Sequence, residues 1–280
     1  GDWSSDVCSS DLRAGGRTIS AFDAPEDSVP AVLLHGFTGS SRSWGDPVVQ
    51  GLKSRGIEPL PLDLPGHGAR GDMPAEDVTL SDTLAIIDEE TEHLPRFDLV
   101  GYSMGGRIAL HVALARPERV RRIVLESASP GLDSAEARAA RRAADEGLAD
   151  RIEKTGVAAF VDQWAALPLF DSQRTLPAET RERTRRERLE NRAGGLAAAL
   201  RGLGTGALPG LWGRLDEVEC PVLLLVGALD TKFVRIARDM APDLRGARLE
   251  EVDGVGHTIH LEAPQAWLDR VGRFLRTPAS

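Results

Sequence analysis

Asp98-Leu99-Val100-Gly101-Tyr102-Ser103-Met104-Gly105-Gly106-Arg107 joins two different hydrophobic patterns. A short apolar run with the character of a buried strand ends at Gly101, and a helical pattern, Ile108 to Leu114, begins almost at once. Between them stands Gly-x-Ser-x-Gly. A strand that turns into a helix within so few residues needs glycine on both sides of the turn, because a Cβ there would collide with backbone. The spacing therefore predicts a nucleophile elbow that holds Ser103 above a sheet at a helix N-terminus. A chain of this composition yields on the order of 0.2 such motifs by chance. The motif gains weight from its position between strand and helix and from whether the rest of the chain supplies partners for Ser103.

Working outward, strand-like runs recur at Ala31 to Leu34, Glu58 to Leu62, Phe97 to Val100, Val120 to Leu125, Val222 to Val226 and Arg248 to Val252. Each is followed by a turn and a helix-like stretch. That rhythm predicts an α/β fold, a mostly parallel central sheet flanked by helices on both faces. In such sheets ligands bind beyond the C-terminal strand ends. The rhythm stops between Leu125 and Pro221, where Ala135 to Arg151, Val157 to Leu167 and Pro177 to Leu203 are rich in Ala, Arg, Glu and Leu and read as helices. This segment is too long for an ordinary crossover. It is expected to be an inserted helical cap over the strand ends, with corners at Pro168-Leu169-Phe170 and Gly202 to Gly213. Residues 13–126 and 220–280 then form the core, and 127–219 the cap and crossover.

The chain has 280 residues, 41% of them hydrophobic, enough to bury one large core, and its net charge of −9 argues against a nucleic-acid binder. An acidic small molecule is still admissible, since pocket charge and net charge are different quantities. No apolar stretch approaches the ~18 residues of a membrane span. Gly1 to Leu12 carries neither an amphipathic period nor a secretory pattern and resembles an in-frame translation of a short-read sequencing adapter, so it is set apart from the fold. Cys8 falls within it. The remaining cysteine, Cys220, precedes an apolar run and reads as a core thiol. Neither a disulfide framework, a zinc site nor a bound cofactor is expected, and a reducing cytoplasm is the default location. Oligomeric state is left open.

A serine hydroxyl becomes a useful base or nucleophile when an imidazole can take its proton, and the imidazole needs a carboxylate to fix its tautomer. Two later strand ends offer these groups. Asp230 stands just past Val222 to Val226, and His257 follows Asp253-Gly254-Val255-Gly256 after the last run. The order Ser, Asp, His is the order expected with this elbow. Glu126 competes with Asp230 as the acid, and His260 with His257 as the imidazole. His93 and His111 lie in helical patterns and read as surface residues or satisfied partners. After the first strand, His35-Gly36-Phe37-Thr38-Gly39-Ser40 forms a glycine-punctuated loop, so the Phe37 N–H and the Met104 N–H are the candidate oxyanion donors. His67, in Asp63-Leu64-Pro65-Gly66-His67-Gly68, reads as a structural loop residue.

These features resemble the α/β-hydrolase superfamily over Ala31 to Leu275, with the cap lying between the sixth and seventh strands of that superfamily's count. Serine at the elbow disfavours its dehalogenases and epoxide hydrolases, which use aspartate there. A narrower resemblance lies in Val100 to Arg107, Ser129-Pro130-Gly131-Leu132 with Ala135 to Arg141, Trp164 with Pro168-Leu169-Phe170, Arg188-Leu189-Glu190-Asn191, Leu200 to Gly206, and Asp230-Thr231-Lys232-Phe233. Together these are similar to the 2-succinyl-6-hydroxy-2,4-cyclohexadiene-1-carboxylate synthases of menaquinone (vitamin K2) biosynthesis. The resemblance implies a lyase that eliminates pyruvate from a small-molecule polycarboxylate. It also implies Arg107, Arg141 and Arg188 as carboxylate ligands, Tyr102 and Trp164 as pocket aromatics, and Lys232 as a lesser candidate.

The residues themselves agree in part. Arg107 is four positions after Ser103, on the same helix face, and arginine's planar fork suits a carboxylate. Against this, a helix as rich in arginine as Ala135 to Arg151 usually shows them to solvent. Ala165, beside Trp164, stands where some members of the family carry an aromatic residue. The implied chemistry is that Asp230 orients His257, His257 takes the Ser103 proton, and Ser103 removes a ring proton while the Phe37 and Met104 amides hold the developing oxyanion. The triad alone leaves two other readings open. One is a serine hydrolase, an esterase or C–C hydrolase for small carboxylated substrates. The other is a ligand-binding receptor on a hydrolase scaffold.

Overall fold

The computed structural model describes residues 29–277. Six strands form one sheet: β1 (Ala31–Leu34), β2 (Pro59–Leu62), β3 (Phe97–Tyr102), β4 (Val120–Glu126), β5 (Val222–Gly227) and β6 (Arg248–Val252). Every pairing is parallel, in the order β2-β1-β3-β4-β5-β6. Leu34 faces Gly101, Gly101 faces Leu125, Leu125 faces Leu224 and Leu224 faces Leu249, so all six strands end on one edge. β3 runs two residues past the expected Val100, which brings Tyr102 to the very end of the strand.

The period-2 alternation of the strands divides the core in two. Val32, Leu34, Leu99 and Leu224 pack on one side beneath α2 (Leu80–Glu90), α3 (Met104–Ala115) and α7 (Thr231–Met240). Ala31, Leu33, Val100, Leu223 and Leu225 face the other side, under α1 (Gly45–Lys53) and α9 (Pro264–Arg276), with α8 (Ile259–Glu262) leading into α9. Burial on both faces explains why β1 and β5 are apolar throughout. Cys220 is a buried free thiol whose pKa burial pushes up to about 12.

The segment after β4 is helical, as expected, but its breaks fall differently. α4 (Ala135–Ala165) carries a kink at Gly156, where φ is 80°, so the two expected helices meet end to end at the residue that tolerates that backbone. The expected helix Pro177 to Leu203 splits into α5 (Ala178–Leu189) and α6 (Ala193–Leu203). Ala149, Ile152, Phe160 and Val161 of α4 pack on Leu196, Ala197 and Leu200 of α6, giving this segment a small core of its own. It enters after the fourth described strand and returns at the fifth. Gly1 to Leu12 and Cys8 lie outside the described residues. Among the described residues no helix is long and apolar enough to cross a membrane, and no group of three side chains could hold a metal ion.

Candidate active site

At the end of β3 the chain turns sharply enough to put Ser103 at φ 52° and ψ −107°, a region that costs a non-glycine residue roughly 1–3 kcal/mol. The surroundings impose it. A Cβ on Gly101 would lie 2.5 Å from the Gly105 carbonyl oxygen, and one on Gly105 would lie 2.0 Å from that of Leu34. Both glycines of the motif are thus sites of backbone-on-backbone packing. The Ser103 N–H donates to the Glu126 carbonyl at 2.9 Å, and α3 begins at the next residue.

Asp230 follows β5 and caps α7, its Oδ1 accepting the Phe233 N–H at 3.3 Å. Its Oδ2 lies 2.6 Å from His257 Nδ1, and His257 Nε2 lies 3.2 Å from Ser103 Oγ. Acid and imidazole are both buried. The donor on Nδ1 leaves Nε2 free to accept a proton from the serine hydroxyl.

The competing acid and imidazole are paired with each other instead. Glu126 accepts the His260 N–H at 3.0 Å, contacts His260 Nδ1 at 2.9 Å and accepts the Trp267 indole N–H at 2.8 Å. This buried cluster fastens α8 and α9 to β4. Tyr102 separates the two imidazoles, its ring 5.3 Å from that of His257 and 5.0 Å from that of His260. The Tyr102 hydroxyl bonds Thr258 Oγ1 at 2.7 Å, and Gln173 Nε2 donates to the same oxygen at 2.9 Å, tying the cap to the His257 loop. Burial holds the Tyr102 phenol well above its usual pKa, so it is neutral.

The His35–Ser40 loop is held from three directions. His35 Nδ1 donates to the Gly36 carbonyl at 2.8 Å and its Nε2 accepts the Leu64 N–H at 3.0 Å. His67 Nδ1 donates to the Pro65 carbonyl at 3.1 Å and its Nε2 accepts the Thr38 N–H at 3.4 Å. Burial lowers their pKa values to about 4 and about 3, so both are neutral and in one tautomer. From the cap, Asn191 Nδ2 donates to the Thr38 carbonyl at 2.9 Å. A Cβ on Gly36 would be 2.7 Å from the Tyr102 ring and 3.5 Å from Ser103 Cβ, so this backbone passes directly beside the serine. Among the described residues neither the Phe37 nor the Met104 amide N–H donates to another backbone group.

Ser103, His257, Phe37 and Met104 share a cavity of about 220 Å³ with Tyr102, Arg107, Arg141, Trp164 and Lys232. Arg107 is 6% exposed, and its Nη2 donates to the Leu203 carbonyl at 3.1 Å. Burial, then repulsion from Arg141, lowers its pKa to about 10, which leaves it charged at neutral pH. Arg141 reaches the cavity with a half-exposed side chain, its Nε donating to Asp145 Oδ1 at 2.8 Å. Arg188 lines two cavities that adjoin this one; the first shares Phe37, Tyr102 and Phe170 with it, and the guanidinium lies 5.2 Å from the Phe170 ring. Burial lowers its pKa. His111 is buried rather than surface-exposed, its Nε2 has no partner among the described residues, and burial lowers its pKa to about 4. His93 is exposed.

Asp145 and Gln173 have little signal in the sequence, Asp145 only its i+4 spacing from Arg141. Asn191 stands in the Arg188–Asn191 motif, but its tie to Thr38 has no local signal.

The Alpha/beta hydrolase family matches residues 31–270. A Bacillus subtilis (strain 168) protein, provisionally named a 2-succinyl-6-hydroxy-2,4-cyclohexadiene-1-carboxylate synthase, is 41% identical over 266 residues, covering 93% of this chain and 95% of that one. A Salmonella paratyphi C synthase of the same name is 32% identical over 247 residues, 88% of this chain and 93% of its own. The structure of MenH from S. aureus superposes with a TM-score of 0.83 at 33% identity, covering 91% of this chain and 96% of that one. The chain belongs to this synthase family within the α/β hydrolases. The family match spans the sheet, the cap and the loops bearing Ser103, Asp230 and His257 alike.

Proposed function

We propose that the protein is a carbon–oxygen lyase of menaquinone biosynthesis that eliminates pyruvate from 2-succinyl-5-enolpyruvyl-6-hydroxy-3-cyclohexene-1-carboxylate to give 2-succinyl-6-hydroxy-2,4-cyclohexadiene-1-carboxylate. The synthase relatives support the activity. The observation that carries the chemistry is that two guanidiniums, Arg107 and Arg141, share one cavity with Ser103 and His257. A polycarboxylate is the ligand that needs such a pair.

In this reading Ser103 is a base. Asp230 fixes the His257 tautomer, His257 takes the hydroxyl proton, and Ser103 Oγ removes a ring proton of the substrate. The C–H electron pair forms the C2=C3 double bond, the existing C3=C4 pair moves to C4=C5, and the C5–O bond to enolpyruvate breaks. The expelled enolate takes a proton and becomes pyruvate. Negative charge that builds on the succinyl carbonyl is received by the Phe37 and Met104 amides at the N-terminus of α3, where the helix dipole adds to them. Arg107 and Arg141 grip carboxylates, each contact contributing roughly 1.5–3 kcal/mol. Tyr102 and Trp164 flank the ring, and Arg188 is a further carboxylate ligand in the adjoining cavity beside Tyr102 and Phe37. With a small water-soluble substrate, the proposed place of action is the cytoplasm.

Incubating the purified protein with the enolpyruvyl substrate and coupling released pyruvate to lactate dehydrogenase tests this directly. Stoichiometric pyruvate, abolished in Ser103→Ala, is the expected result. Turnover of esters with no pyruvate release would make the protein a hydrolase that acylates Ser103.

A further inference from the structure

Three buried polar atoms at or beside the Ser103 cavity have no hydrogen-bond partner among the described residues, Trp164 Nε1, Arg107 Nε and Asp145 Oδ2, and the last two belong to one cluster. Asp145 lies on α4 against the turn that follows α6, its side chain 6% exposed. A Cβ on Gly204 would come within 2.8 Å of its Oδ2, so glycine at that cavity-lining position leaves the carboxylate its room.

A buried carboxylate at a site for a polyanion needs a reason. A like charge 4 Å away repels by about 4 kcal/mol at an effective dielectric of 20. What Asp145 does is set by the nitrogen it takes. Its Oδ1 accepts from Arg141 Nε at 2.8 Å, and Arg141 forms no other hydrogen bond among the described residues. A guanidinium held by Nε still presents its two terminal nitrogens as an end-on fork. Without Asp145, Arg141 would be a long, half-exposed side chain facing the like charge of Arg107, with nothing to fix its rotamer. Its ordering entropy would then fall on substrate binding.

We infer that Asp145 is a positioning residue that holds Arg141 by Nε, so that the terminal nitrogens of Arg141 meet a substrate carboxylate in the Ser103 cavity. This rests on the polycarboxylate reading above. Asp145 touches neither substrate nor triad; its side chain's one hydrogen bond among the described residues is to Arg141, and its charge also favours the neighbouring Arg107 guanidinium.

Pyruvate release by wild type, Asp145→Ala, Asp145→Asn, Arg141→Ala and the double variant Asp145→Ala/Arg141→Ala tests it. Losing the acceptor in Asp145→Ala raises KM about tenfold, the low end for a hydrogen bond between charged groups because Arg141 is partly solvated, and leaves kcat within about twofold. Asparagine keeps an acceptor oxygen and recovers most of the KM. In the Arg141→Ala background, Asp145→Ala adds less than about twofold, because its partner is already gone. Additive losses in the double variant, an asparagine variant no better than alanine, or a fall in kcat at unchanged KM would each overturn the inference. Should Asp145→Ala not fold, Asp145→Ser takes its place, since its hydroxyl is too short to reach Nε. A wild type that releases no pyruvate refutes the functional reading and this inference together. Normal wild-type turnover with additive variants refutes this inference alone.

Discussion

Replacing Arg107 by methionine removes a charge while keeping much of the apolar stem, and its consequences separate into two measurable parts. The side chain is 6% exposed, so a carboxylate bound to it is little screened by water. A hydrogen bond to a charged group contributes about 1.5–3 kcal/mol, which converts to a loss of about 10- to 150-fold in kcat/KM for the polycarboxylate. The same change strands the Leu203 carbonyl, which now accepts from Arg107 Nη2 at 3.1 Å. Leaving that oxygen without a donor costs roughly 1–3 kcal/mol of folding stability and lowers Tm. Folding loss and binding loss are told apart by the substrate. With p-nitrophenyl acetate, which has no carboxylate, kcat/KM of the folded variant should stay within about threefold of wild type, because oxyanion loop and triad are intact. Pyruvate release and ester hydrolysis are measured on the same preparations at a temperature well below both Tm values. Equal losses on the two substrates would refute a carboxylate-binding role and leave Arg107 as a structural tie between α3 and α6.

The two buried acid–imidazole pairs should respond in opposite ways. Asp230→Asn offers His257 Nδ1 the wrong group and lowers kcat by about 10³–10⁴, with little change in Tm; Glu126→Gln weakens the cluster around His260 and Trp267, lowering Tm while kcat/KM stays within about threefold, and a reversal of the two phenotypes would exchange their roles. Stability should also fall in acid. Below pH 6.5 the unfolded chain binds protons that His35 and His67, with pKa values of about 4 and 3, refuse while buried. Stability therefore rises with pH from about 4 to 6.5 and levels off above it, and the drop in urea midpoint between pH 7 and pH 5 should shrink in His67→Asn. A midpoint that is flat with pH in the wild type would show that these imidazoles are not held neutral.

The sheet was legible because its inner strands, such as Ala31–Leu34 and Val222–Gly227, are buried on both faces and read as unbroken apolar runs, while the half-buried edge strand Arg248–Val252 still begins and ends where the sequence places it. The elbow was legible because its constraint is steric and local, two glycines at backbone contacts. Cap breaks were harder to read. Gly156 and the Glu190–Arg192 corner sit in strongly helix-forming sequence, and the corner is fixed by Asn191 reaching Thr38, a contact 153 positions away that no local pattern carries. The place of Arg188, in the cavity adjoining that of Ser103, was hard to read for a similar reason: it depends on how α5 packs, which its near-continuous polar sequence leaves unspecified.

An acidic chain with a net charge of −9 is an unexpected host for a polyanion, and distance resolves the conflict. At physiological salt the Debye length is about 8 Å, so surface carboxylates far from the pocket barely affect a bound ligand. Arg107, Arg141 and Lys232 line the same chamber as Ser103, and the buried Arg107 among them is little screened by salt. Of the nearby carboxylates, Asp230 is engaged by His257 and Asp145 by Arg141. The chamber is therefore locally cationic inside an anionic protein, and what such a chamber fixes is orientation. A serine activated by histidine attacks whatever is placed before it, a carbonyl carbon in a hydrolase or a proton in a lyase. Two guanidiniums have separate tethers, one on the Leu203 carbonyl and one on Asp145, and in the proposed reading they hold a substrate by its carboxylates and decide which of its atoms meets Ser103 Oγ.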